Sequence, residues 1–262
     1  MMNMNKFAKI IAYLNIDLSK DKTFVFLTGC GRSGTTIISD ILSQSKDIAK
    51  YPGEGTELWF PKHYPLKDPN FTPFFVDPQG FSKKAIRKNT SYVKRVFSAY
   101  CHLKGKKILQ NKNVMMPFIL DEARELFNNM KIVHIIRDGR DVSYSYTKKT
   151  LKKGKNFNFK EEELFLQMAK LWNLTIDQMD SFFERHSLVK GKDYIEIRYE
   201  DICKEPQKEI NKYQGLINAD LNKEVKLLLQ NRNGKYHNAY SQAILEEATM
   251  IMRENLKRKG YL

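Results

Sequence analysis

The stretch from Thr23 to Ser45, TFVFLTGCGRSGTTIISDILSQS, constrains the chain more than any other. Thr23 to Leu27 is a β-branched and aromatic run of strand type. Ile37, Ile38, Ile41 and Leu42 recur at helical spacing, and between the two lies Thr28-Gly29-Cys30-Gly31-Arg32-Ser33-Gly34. A strand that turns through glycines straight into a helix lets consecutive backbone N–H groups converge on one point, where the positive end of the helix dipole adds to them. An anion fits such a turn.

Gly29 and Gly34 have the GxxxxG spacing of a Walker A loop, and Thr36 stands at its Ser or Thr position, but Thr35 occupies the place of the lysine. A different cation, Arg32, lies inside the loop and is followed by hydroxyl side chains. The pattern points to a phosphate ester other than a nucleoside triphosphate. GCGRSGTT after a strand resembles the 5′-phosphosulfate loop of the sulfotransferases, which use 3′-phosphoadenosine 5′-phosphosulfate (PAPS). By that resemblance Gly31, Arg32, Ser33, Gly34, Thr35 and Thr36 hold the 5′-phosphate.

A second segment agrees. Lys131 to Ile136, KIVHII, is the near-continuous apolar run of a strand buried on both faces. Arg137 follows at its end, with Ser145 eight positions later on the next helix. This is similar to the 3′-phosphate motif of sulfotransferases, in which a planar guanidinium grips a phosphate dianion and a helical hydroxyl donates from the other side. RYED at Arg198 to Asp201 resembles the family segment near the adenine and brings in Tyr199. The basic glycine loop Asn231 to Tyr236 is either an ordinary surface turn or the late loop of the family, whose Arg232 or Lys235 then reaches the 3′-phosphate. The ending Gly260-Tyr261 is also similar to the family's.

For the chemistry, the resemblance implies sulfonyl transfer to a hydroxyl or amine, with Arg32 at the transferring group and Lys112 stabilising the bridging or sulfonate oxygens. The cytosolic branch takes its base from a Lys-x-His pattern, but Lys112 is followed by Asn113 and Val114. Membrane-bound and protein-modifying sulfotransferases, which the chain resembles more, use a glutamate just after the second strand. Gly53-Glu54 fits, and Glu57 lies three residues on. Either is alternatively a solvated loop acid.

The expected fold is a single α/β domain over residues 1–262, a central mostly parallel sheet with helices on both faces. Residues 1–22 are read as an N-terminal helical extension and 52–105 as an acceptor-binding insertion, with a long loop over 58–80. Helices are expected over 82–103, 118–128, 161–185, 207–216, 222–229 and 242–259. Composition is globular at 42% hydrophobic, enough for one full core. Cys30, Cys101 and Cys203 are an odd count without metal spacing, so a reducing, cytoplasmic setting is expected and Cys30 is read as filler. The five histidines show no paired ligand spacing, and no metal site is expected.

The net charge of +15 suits an anionic partner without choosing one. Its densest clusters, Lys148 to Lys155 and Lys257 to Lys259, lack the interleaved aromatics of a nucleic-acid platform, so no nucleic acid is expected. The expected partner is a small-molecule, glycan or peptide acceptor. No apolar run is long enough to span a membrane, and Phe7, Ile10, Ile11 and Leu14 form a stripe expected to pack on the domain itself. Rival readings are a P-loop kinase or NTPase, which lacks its lysine and has only Asp138 for a metal ligand, a basic nucleic-acid-binding protein, and a binding protein on this scaffold without catalysis.

Overall fold

The computed structural model describes residues 4–60, 90–127, 129–152, 160–219 and 233–262. Five strands, β1 (Thr23–Thr28), β2 (Ile48–Lys50), β3 (Ile108–Lys112), β4 (Met130–Ile136) and β5 (Tyr194–Arg198), form one sheet in the order β2-β3-β1-β4-β5. Every neighbouring pair is parallel. β1 lies at the centre because Phe24 to Thr28 are apolar or small enough to be buried on both faces. Period-two alternation then divides the core. Phe24, Phe26, Ile132 and Ile136 join one cluster, and Val25, Leu27, Val133 and Ile135 the other.

The helices in chain order are α1 (Met4–Tyr13), α2 (Thr35–Leu42), α3 (Thr56–Trp59), α4 (Thr90–Leu103), α5 (Leu120–Leu126), α6 (Gly139–Lys152), α7 (Glu161–Arg185), α8 (Tyr199–Lys204), α9 (Pro206–Ile217) and α10 (Gln242–Arg258). α2, α8 and α9 cover the face of Val25 and Leu27, and α4 and α7 supply large buried side chains to the other. α7 runs over the expected span, with Leu164, Met168, Leu171, Trp172, Ile176, Met179 and Phe183 all buried. Among the described residues no helix is long and apolar enough to cross a membrane.

Several expectations are corrected. The helix expected over 118–128 begins as a 3-10 turn, Met116–Phe118, with Pro117 inside it, and only then becomes α5. Of RYED, Arg198 ends β5 and the other three residues begin α8. Leu58 and Trp59 belong to α3 and Phe60 caps it, all three buried and Trp59 against Phe26, whereas residues 61–80, residues 82–89 and the helix expected over 222–229 lie outside the described residues.

The largest correction concerns α1. It packs along α4 through Ala8 and Ala12, both wholly buried, and Ile11, while Phe7, Ile10 and Leu14 remain exposed. Small side chains let the two helices approach until Arg95 Nε on α4 donates to the Ala12 carbonyl at 3.0 Å. The bulkier stripe has no room there.

The end of α10 is held to the sheet edge by ion pairs. Lys259 Nζ reaches Glu196 Oε1 at 2.6 Å and Asp180 Oδ1 at 2.7 Å, Lys190 binds Glu196 Oε2 at 2.6 Å, and His134 Nδ1 lies 3.7 Å from Glu196. Burial opposes ionisation of Glu196, but His134, Lys190 and Lys259 outweigh it and hold the carboxyl well below the usual carboxylate range. A depressed folded value means stability present above the ordinary value of 4.5 and lost as pH falls below it. Thermal melts of the parent and Glu196→Gln are therefore expected to differ most near neutral pH and to converge in acid. A gap that persists at low pH overturns this assignment.

Candidate active site

Parallel pairing brings the carboxyl ends of all five strands to one edge. Thr28 pairs with His134 and Leu27 with Lys112, so the loop after β1 opens between Lys112 and Arg137, where ligands bind in open α/β sheets. Two glycines make the turn possible. Gly29, at φ +145°, runs so close to β4 that a Cβ there would stand 2.1 Å from the Ile135 carbonyl oxygen. Gly34, at φ +88°, caps α2, and a Cβ would stand 2.5 Å from the Tyr199 ring.

Between them Arg32 adopts φ +76°. For a side chain with a Cβ this conformation costs about 1 kcal/mol or more, a strain found mostly where function over-determines the backbone. The geometry it achieves joins the two motifs. Arg32 Nε donates to Ser145 Oγ at 3.2 Å, and Arg137 Nη1 donates to the Arg32 carbonyl at 3.4 Å. Ser33 is wholly buried, and its Oγ has no hydrogen-bond partner among the described residues. Gly31 lies against the Tyr146 ring, Thr35 is buried and Thr36 is exposed in the first turn of α2. Buried donors are normally satisfied, so a buried hydroxyl without a partner, beside a helix start and a loop arginine, fits an oxyanion.

Arg137 is 7% exposed, with its guanidinium 4.7 Å above the Tyr199 ring centroid and 4.0 Å from Asp141 Oδ2. Its carbonyl accepts from the Trp172 indole N–H at 3.1 Å. Asp141 is almost wholly buried, and its two oxygens accept from the backbone N–H of Gly234 at 2.9 Å and of Lys235 at 3.2 Å. Burial raises its carboxyl above the ordinary range, against the pull of Gly234, Arg137 and Lys235. The late basic loop is thereby brought beside Arg137, with the Lys235 side chain exposed. Arg232 lies outside the described residues.

On the other side of the β1 loop, the Lys112 ammonium is hydrogen-bonded to Glu54 Oε1, and Asn111 Nδ2 donates to the Glu54 carbonyl at 3.1 Å. Glu57 is turned away on α3, where it meets Lys9 of α1 at 3.4 Å, with its side chain 53% exposed against 33% for Glu54. Asp138 has both carboxylate oxygens taken by Arg140, at 3.0 and 2.7 Å. Burial pushes the Cys30 thiol up to about 12, which makes it a poor nucleophile. No group of three or more His, Cys, Asp or Glu side chains gathers for a metal among the described residues.

The sulfotransferase family model matches residues 25–214. The chain belongs to the sulfotransferase family. It is an enzyme of that family, and its fold is similar to solved sulfotransferases. One from Alicyclobacillus acidocaldarius aligns with a TM-score of 0.62 at 14% identity, over 90% of this chain and 94% of that one. One from Mycobacterium tuberculosis aligns with a TM-score of 0.61 at 14% identity, over 95% and 82%. The sulfotransferase domain of the Synechococcus PCC 7002 olefin synthase aligns with a TM-score of 0.57 at 16% identity, over 89% and 95%. At such identities the likeness is one of fold. Comparison with curated proteins gives no match.

In this sulfotransferase the residues that sequence reasoning missed are supports of the candidate site. Asp141 is signalled only by its i+4 spacing from Arg137, and Trp172 only by its place in the helix expected over 161–185. The Glu200 carboxylate accepts from the Asp138 backbone N–H at 3.1 Å and from the Tyr261 hydroxyl at 2.7 Å, which ties the chain's end to the start of α6. Asp141→Ala would leave two backbone donors and Arg137 without their carboxylate, at a cost of about 2 to 4 kcal/mol. The expected result is a lower melting temperature with faster proteolytic cleavage near residues 233–237; unchanged cleavage there overturns the assignment.

Proposed function

We propose that this sulfotransferase moves the sulfonyl group of PAPS to a hydroxyl or amine of a small-molecule, glycan or peptide acceptor, with Glu54 as the base. The observation that carries the reading is the junction of the two phosphate motifs, where Arg32 binds Ser145 beside the Ser33 hydroxyl, which has no partner among the described residues. PAPS supplies a sulfonyl group activated by its attachment to the 5′-phosphate. Gly31, Arg32, Ser33, Gly34, Thr35 and Thr36 would hold that phosphate, and Arg137 and Ser145 the 3′-phosphate. Tyr199, already under the Arg137 guanidinium, would border the nucleoside, and Lys235, with Arg232 from the same loop, would add positive charge.

Sulfonyl transfer resembles phosphoryl transfer in needing positioning and fixed donors more than covalent participation by the protein. Arg32 and Lys112 offer positive charge to the oxygens on which negative charge grows. Glu54 removes the acceptor's proton, and its contact with Lys112 fixes where the carboxylate stands. The placement of Glu57 against Lys9 on the outer side of α3 favours Glu54 for this role. Asp138, engaged by Arg140, and Thr35 in place of a lysine give the kinase reading no support.

Two measurements test this. 3′-Phosphoadenosine 5′-phosphate is expected to raise the melting temperature with or without EDTA, and Mg-ATP to do so far less; equal stabilisation by Mg-ATP overturns the donor assignment. Glu54→Gln is expected to lower turnover with labelled PAPS by about 100- to 10,000-fold while nucleotide affinity hardly changes. Full turnover in Glu54→Gln beside an inactive Glu57→Gln would move the role to Glu57.

A further inference from the structure

We propose that the outward face of α1 docks on an anionic lipid surface. This goes beyond the transfer reaction and does not depend on it. α1 has two apolar faces. Ala8, Ile11 and Ala12 face α4, while Phe7, Ile10 and Leu14, at i, i+3 and i+7, form a second stripe. Ile10 is 50%, Leu14 65% and Tyr13 77% exposed. A contiguous row of large exposed apolar groups marks an interaction surface, unlike scattered single ones.

Charge selects the occupant. Lys6 is exposed and lies on the same arc as Ile10 and Tyr13, at i+4 and i+7, and Lys9 lies at its edge. No acidic residue occurs before Asp17, and the whole chain carries +15. A helix with an exposed apolar stripe, lysines and no acid of its own lies flat at an anionic membrane interface, its apolar side chains in the acyl boundary and its basic edge among the headgroups, even with Lys9 paired to Glu57. A second copy of the chain fits worse, because a two-fold contact through this face brings the Lys6 side chains of both copies together. The face is also placed to matter. Asn5 Oδ1 accepts from the Tyr51 hydroxyl at 2.6 Å and Lys9 meets Glu57, so α1 borders the segment that leads from β2 to Glu54. Docking through α1 would bring that edge of the candidate site near the lipid surface.

The test is co-sedimentation of the full chain with vesicles of phosphatidylcholine alone or mixed with phosphatidylglycerol. Binding to the mixed vesicles is expected, weakened by salt, with little to the neutral ones. Ile10→Ser with Leu14→Ser should weaken it by about tenfold or more, since both side chains would leave the acyl boundary. Both positions are exposed, so the melting temperature should stay unchanged, which separates lost docking from lost folding. Absence of binding, equal binding to both vesicle types, or binding indifferent to the double substitution overturns the proposal. So does a dimer in sedimentation equilibrium that the same substitutions dissociate, because the face would then belong to a second copy.

Discussion

Parallel pairing of β1 with β4 is the constraint on which the rest of the candidate site depends. It ends both strands at one edge, with Thr28 opposite His134, and so places the loop after β1 beside Arg137. The approach is close enough that Gly29 has no room for a side chain against the Ile135 carbonyl. From that contact follow the left-handed turn at Arg32, its hydrogen bond to Ser145 and the donation from Arg137 to its carbonyl. Strain in one residue is offset by two hydrogen bonds, both donated by guanidinium groups.

A second consequence is that the charged groups of the site are held by neighbours within the protein. Arg137 lies between the Tyr199 ring and Asp141, Lys112 pairs with Glu54, and Arg32 leans on Ser145. Fixed donors stabilise developing charge best when little reorganisation is needed, and in the proposed transfer these contacts would limit it. Asp141 adds a link of its own. Being buried, it needs donors, and it finds them in the backbone of Gly234 and Lys235, so a loop distant in sequence is anchored by an unfavourable burial that those donors and Arg137 relieve.

The supports behind these groups are ordinary core elements in a second use. Trp172, one of the largest wholly buried side chains, also donates to the Arg137 carbonyl. Tyr261, at the end of the chain, reaches Glu200 and through it the backbone of Asp138. Packing and site geometry are therefore coupled at the start of α6. Gly139 shows the same coupling, since a Cβ there would stand 2.5 Å from Met252 Sδ and 2.6 Å from the Trp172 ring.

The sequence by itself determined the strand, glycine loop and helix around Arg32, the buried strand before Arg137 and the eight-residue step to Ser145. Those signals are local, and burial on both faces of a parallel strand shows directly as an apolar run. It left Glu54 and Glu57 as alternatives, gave Asp141 no role and assigned Phe7, Ile10 and Leu14 to the wrong side of α1. Only the tertiary structure shows what each of these residues meets, because each turns on a partner far along the chain. Lys112 meets Glu54 across 58 positions, Gly234 meets Asp141 across 93, and Arg95 meets the Ala12 carbonyl across 83. Periodicity tells that a helix has an apolar stripe, but which stripe is covered depends on whether small or large side chains let the neighbouring helix come close.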